Sequence, residues 1–160
     1  MFAQRHWKQT LIVLATAGAV GLGWGVIGLS ARPVPVPPLG TVMHVQAVNV
    51  AFANVGGPNR QPHAYVYIRD EFGAPVNGAT VTGNWTGCTV QNGVTAVTQT
   101  FYNSSGQITA DGVAHFVGKK RSCWGNNSCD FIFTVTNVAM TGLVYDPSSN
   151  VTNFGYSPCF

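Results

Sequence analysis

Charge is what this sequence has least of. Only 8% of its 160 residues are Asp, Glu, Lys or Arg, and surface helices need a charged outer face, so a helical bundle is excluded. Carboxylates are scarcer still, five in all, and leave few acid/base pairs to form. No G-x-S-x-G elbow, H-E-x-x-H pair or glycine-rich phosphate loop occurs, so hydrolase and nucleotide chemistry lack their usual supports. The cysteines show neither C-x-x-C spacing nor an adjacent histidine, which argues against zinc. The chain is therefore expected to be no enzyme, with no catalytic residue, cofactor or metal. His44, His63 and His115 read as ordinary strand or loop residues.

A basic excess that a nucleic-acid binder could use is also missing. Of eight Lys and Arg residues, Arg5, Lys8 and Arg32 surround the N-terminal apolar run, leaving five bases against five acids in the remainder. The net charge of +3 thus belongs to the flanks of a membrane segment, and no nucleic-acid partner is expected.

What is present begins with that run. Gln9 to Ala31 carries no charge, and as a helix rising ~1.5 Å per residue it spans roughly 30 Å, a bilayer's hydrocarbon core. Arg5 and Lys8 before it put the N-terminus in the cytoplasm and the following domain outside, in the periplasm or extracellular space. A cleaved secretory signal ending near Leu29-Ser30-Ala31 is the other reading, and it exports the domain equally. Ala17, Gly21 and Gly25 line one helical face, where small residues let another helix approach closely. The prolines of Arg32–Gly40 make a semi-rigid extended stalk. The expected organisation is residues 1–31 as cytoplasmic end and transmembrane helix, 32–41 as stalk and 42–160 as the outer domain.

In that domain, apolar runs of strand length alternate with turn signals. Strands are expected at Val42–Ala53, Ala64–Arg69, Ala79–Trp85, Ala96–Tyr102, Gly112–Val117, Phe131–Val138 and Gly142–Tyr145, about seven in an antiparallel two-layer sandwich. Phe131, Phe133 and Val135 should share one face, with Ile132, Thr134 and Thr136 on the other. Asp70–Pro75 and Asn103–Gly106 have the Gly, Asn, Asp and Ser of tight turns. Asp146–Asn150 fits an Asx-type turn better than a calcium loop.

Tyr65–Trp85, YVYIRDEFGAPVNGATVTGNW, and Phe131–Val138 with Leu143–Asp146 resemble bacterial immunoglobulin-like (Ig-like) domains. That family has an alternating strand, a D-x-x-G-x-P-V turn and G-A-T-V-x-G-x-W, then closing strands. The resemblance covers roughly Ala64 to Asp146 and rests on structural motifs. It implies an all-β, Ig-like sandwich and a role as spacer, adhesive module or appendage. No catalytic domain accompanies it here, so the module itself is expected to be the product.

Cys88, Cys123, Cys129 and Cys159 all fall in the exported part, where an even count points to two disulfides. Three connectivities are open, of which Cys123–Cys129 with Cys88–Cys159 is the expected one. Lys119, Lys120 and Arg121 are the one basic cluster beyond the membrane flanks, either a solvated hairpin tip or a docking surface for acidic protein loops or lipid headgroups. Trp124 follows as a binding anchor or a buried core residue. Asn84, Asn103, Asn126 and Asn150 match the glycosylation sequon.

The function these features imply is that of a non-catalytic, single-span accessory subunit in the cell (inner) membrane. Its helix would pack against subunits of an integral membrane complex, respiratory and photosynthetic ones among the fitting hosts, and its domain would cover the extracytoplasmic face. Membrane lipids are the other expected partner. The competing reading is a stand-alone surface or secreted module for adhesion or ligand binding.

Overall fold

The computed structural model describes residues 41–124 and 129–159, all within one compact unit, Pro37–Phe160. The membrane segment, its Ala17, Gly21 and Gly25 face and the stalk up to Gly40 lie outside the described residues. Among the described residues no helix is long and apolar enough to cross a membrane.

The described chain is all-β but for one 3-10 turn, Pro147–Ser149. Its strands are β1 (Val42–Asn54), β2 (Asn59–Asp70), β3 (Thr80–Gly87), β4 (Gln91–Val97), β5 (Gln99–Tyr102), β6 (Ile108–Val117), β7 (Arg121–Ser122), β8 (Cys129–Ala139), β9 (Val144–Tyr145) and β10 (Phe154–Cys159). They form two sheets. The larger runs β5-β6-β2-β1-β9 with β7 also on β2, and the smaller runs β10-β8-β3-β4. Pairing is antiparallel except between β1 and β9.

Side chains alternate across each strand, so each sheet sends one apolar row inward. Val45, Val66, Ile68 and Phe116 from the larger sheet meet Val81, Trp85, Phe131 and Phe133 from the smaller in a single core. Trp85 sits edge-on to Phe133, with ring centres 4.9 Å apart, and Phe116 packs on the same Phe133 at 4.4 Å. Phe131, Phe133 and Val135 do face inward, while Ile132 and Thr134 are half-buried on the outer side and Thr136 is exposed.

Two bulges keep the apolar rows facing inward. Val45 and Ala47 pair with Ile68 and Tyr67, leaving Gln46 as the extra residue. Thr82 and Gly83 pair with Asn137 and Val135, leaving Thr136. Each extra residue reverses the alternation, which is why Val48 and Val138 are buried as well as Val45 and Val135.

The structure has more strands than the expected seven. The single run expected at Ala96–Tyr102 starts earlier and is two strands in different sheets, divided at Thr98. That residue is buried and tied on both sides: its N–H donates to the Ala79 carbonyl, its carbonyl accepts from Gly78 N–H, and its hydroxyl accepts from Ala79 N–H. β10 was not foreseen. It closes the smaller sheet on β8, and its Gly155 lies so close to β1 that an added Cβ would stand 2.3 Å from the Val48 carbonyl oxygen.

Both expected tight turns form. The Asp70 carboxylate accepts from Phe72 and Ala74 N–H, and Gly73 takes φ 79°. The Asn103 side chain accepts from Ser105 and Gln107 N–H, and Gly106 takes φ 75°.

Candidate interaction site at the cystine-bearing pole

The strands run between two ends of the domain, and charge is divided between them. At one end β6 finishes at Val117, and the chain turns where Gly118 has no room for a side chain: a Cβ there would lie 2.6 Å from Pro62 and 3.1 Å from Trp85. Gly118 N–H donates to the Pro62 carbonyl at 2.9 Å, and Lys119 N–H to the Gln91 side chain at 2.8 Å. Lys119, Lys120 and Arg121 follow, all exposed.

The structure adds a fourth cation that sequence spacing hides. Arg60 is the direct partner of Arg121 across the β2–β7 pair, an arrangement of like charges that costs stability rather than adding it. The Arg60 guanidinium lies over the Phe52 ring, 5.5 Å from its centre, and donates to the carbonyls of Gly57 and Asn59. Trp124 stands beside this cluster in sequence and is 74% exposed. It is not the buried core residue that was one of its two readings; Trp85 fills that place. Asp130, next to Cys129 on β8, is the acid at this end. Among the described side chains, four cations against one carboxylate give this pole +3.

The opposite end collects the other carboxylates, and each is used to hold a chain start or turn. Glu71 accepts from Thr41 and Val42 N–H at 3.1 and 2.6 Å, and these bonds hold its carboxyl below the ordinary range. Asp111 accepts from the Thr100 hydroxyl and the Asn77 amide, both at 2.7 Å, and is lowered by them and by Gly112 N–H and the nearby Arg69. Asp146 caps the 3-10 turn through Ser148 and Ser149, which lower it too. Asp146–Asn150 is thus a capped turn, as expected. With Asp70 these make four carboxylates against Arg69, or −3.

Arg60 and Asp70 are ten residues apart on β2, roughly 33 Å at strand rise. Three charges of each sign at that separation make a dipole of about 100 e·Å. The neutral sum read from the sequence conceals this polarity. Thr41, where the chain enters the domain, lies at the acidic pole, because Glu71 holds it there.

All four cysteines are disulfide-bonded, but the pairing differs from the expected one: the bonds are Cys88–Cys129 and Cys123–Cys159. Topology explains the correction. Cys123 N–H bonds the Pro58 carbonyl beside the larger sheet, while Cys129 and Cys159 stand opposite each other across β8 and β10 in the smaller, so either could face Cys123 and the position of Cys88 decides between them. Cys88 follows the end of β3, and its N–H donates to the Asp130 backbone carbonyl on β8, which brings it to Cys129. Cys123–Cys159 then staples the larger sheet's end to the edge strand β10. The bonds close separations of 41 and 36 residues, worth about 4 kcal/mol each on loop-closure entropy. They fix the frame on which Trp124 is mounted.

Sequence reasoning also missed a histidine pair. His63 Nδ1 and His115 Nε2 are 2.9 Å apart on the outer face of the larger sheet, and Tyr65 stacks on His115 at 4.6 Å. Burial, then the neighbouring His63, lowers the His115 pKa. These histidines are 52 residues apart, and only the β2–β6 register brings them together. His44 lies apart from them, its Nε2 3.2 Å from the Gln46 side chain. Among the sequon asparagines, Asn84, Asn103 and Asn150 each spend the side-chain oxygen on a backbone N–H, of Gly93, Ser105 and Val45 respectively, while Asn126 lies outside the described residues. Compared with protein-family models, with curated proteins and with solved structures, the chain matches none.

Proposed function

We propose that the chain is a non-catalytic, membrane-tethered accessory subunit whose Ig-like domain docks through its basic, Trp124-bearing pole onto an acidic extracytoplasmic surface of an integral membrane protein complex. One observation carries the reading: the exposed Trp124 and the cations Arg60, Lys119, Lys120 and Arg121 share the pole opposite Thr41, the point at which a tether joins. An aromatic anchor on a cystine-fixed support loses little entropy on binding. The surrounding positive charge steers it to a negative surface. β1 alone has 13 residues, about 43 Å at strand rise, and runs from the Thr41 end towards this pole. Trp and Arg are the side chains that most often anchor protein–protein contacts, which favours a protein partner over lipid headgroups as what the cluster meets. Residues 9–31 supply the tether in this reading, and the Ala17, Gly21 and Gly25 face is their contact with the host complex.

Solubilisation in mild detergent, followed by mass spectrometry of what co-purifies with the full chain, tests the proposal. Stoichiometric recovery with an integral membrane complex is expected, with loss of association on Lys119→Glu/Lys120→Glu/Arg121→Glu and on Gly21→Leu/Gly25→Leu. An isolated chain beginning near Arg32 would sink the proposal in favour of the stand-alone adhesion module, whose binding face would be the same pole.

A further inference from the structure

The two cystines are not separate staples. The sulfurs of Cys88, Cys129 and Cys159 lie within 4.8 Å of one another, and Cys123 is joined to this trio through its bond to Cys159. Strand register builds it: Cys129 and Cys159 are direct partners across β8 and β10. The Cys88 and Cys123 amides are pinned to Asp130 and Pro58 on either side. Cys159 is 1% exposed and Cys88 and Cys123 9% each, a setting that disfavours free thiolates unless something compensates their charge.

From this cluster we propose a latent metal site: with both disulfides reduced, the four cysteines bind one soft divalent cation of the zinc class as a tetrahedral tetrathiolate. Zinc holds thiolates at ~2.3 Å, which sets sulfurs roughly 3.8 Å apart, a spacing that Cys88, Cys129 and Cys159 approach and that Cys123 must take up once released from Cys159. The ligands come from four chain segments, which is why no C-x-x-C signature announces them. Charge favours the same outcome. A divalent ion with four thiolates carries −2, and it would form at the pole where Arg60, Lys119, Lys120 and Arg121 outweigh Asp130 by three. Two equivalents of a dithiol reductant supply the four electrons and four protons that open both cystines, becoming disulfides themselves. The metal then binds as the thiols release their protons to solvent. Because the ion joins the same strand ends as the cystines, it closes the Trp124 pole when the disulfides are absent.

The test uses the full-length chain, reduced by a dithiol under anaerobic conditions, freed of reductant and titrated with Co²⁺. Saturation at one equivalent is expected, with the intense absorption of tetrahedral cobalt and a thiolate charge-transfer band, both abolished by one equivalent of Zn²⁺. Cys159→Ser should weaken binding by at least about tenfold. X-ray absorption on the zinc-loaded wild type should find four sulfur neighbours, a readout that needs no variant to fold. Should reduction unfold the domain, cobalt is expected to restore its β-sheet circular dichroism, since metal binding is then folding energy. Binding that never saturates, a weak octahedral spectrum, fewer than four sulfurs, or undiminished affinity in Cys159→Ser would each overturn the proposal.

Discussion

Replacing Gly155 by Ala tests how closely β10 lies against β1. The new Cβ would stand 2.3 Å from the Val48 carbonyl oxygen, 3.0 Å from its carbon and 3.1 Å from Val48 Cγ1. Ordinary contact begins at 3.4 Å, so β10 or β1 must retreat by roughly 1 Å, and both are backbone with little freedom to give. Gly155 is not among the glycines at positive φ, so the whole cost is steric. Overpacking of this kind costs about 1–3 kcal/mol, or a melting temperature lower by about 4–12 °C in a domain of this size. Gly73→Ala is the natural comparison, because it has open space around it but φ +79° and should lose only about 1 kcal/mol, from conformation. Urea and thermal unfolding of the full-length variants, with disulfides intact, give both numbers. If Gly155→Ala loses no more than Gly73→Ala, the close approach of the two strands is wrong.

Three further outcomes are expected. Glu71, Asp111 and Asp146 have carboxyls lowered in the folded state, so the stability they contribute is complete above the ordinary carboxylate range. It is lost as pH falls from about 4.5 through the lowered values; urea midpoints from pH 7 to 2 should show that decline, and a flat profile would contradict it. His115, lowered by burial and by His63, should titrate below the usual histidine value of about 6.5 in NMR, its stability contribution being present above that value and fading on acidification. Arg60→Ala removes the like-charge partner of Arg121, one of the two ladder pairs joining β7 to β2, together with a contact to Phe52. These effects oppose each other, so stability should change by under about 1 kcal/mol, whereas a loss above about 2 kcal/mol in urea unfolding would show that Arg60 holds the pole together.

Much of the fold was legible because β structure writes itself in alternation. Phe131, Phe133 and Val135 announced their face, and the Asp70 and Asn103 turns announced their bonds. Of the strands that escaped, Phe154–Cys159 contains Gly155 and Pro158, residues that read as turn material. An edge strand tolerates a proline, since one side of it needs no donor, and here the glycine is what permits close approach. Gln91–Thr95 escaped for a like reason: Asn92-Gly93 suggests a turn, whereas Gly93 at φ 64° lies within β4 and donates to the Asn84 side chain. The site was less legible. Lys119–Arg121 and Trp124 stand out by composition, but Arg60, the polarity of the domain and the cystine pairing depend on register between residues tens of positions apart. Five bases against five acids beyond the apolar run and its flanks gave no hint of either pole.

The fastening of Thr41 and Val42 by Glu71 has a mechanical consequence. β1 starts there, gripped by β2 along its length and by β9 at its first two residues. Because ladder bonds lie across the strand axis, a pull on Thr41 directed along β1 loads them in shear, many at once, instead of peeling them one by one. A domain held at its far pole and drawn from this end would resist as a bolt does, with the Glu71 carboxylate as its first catch.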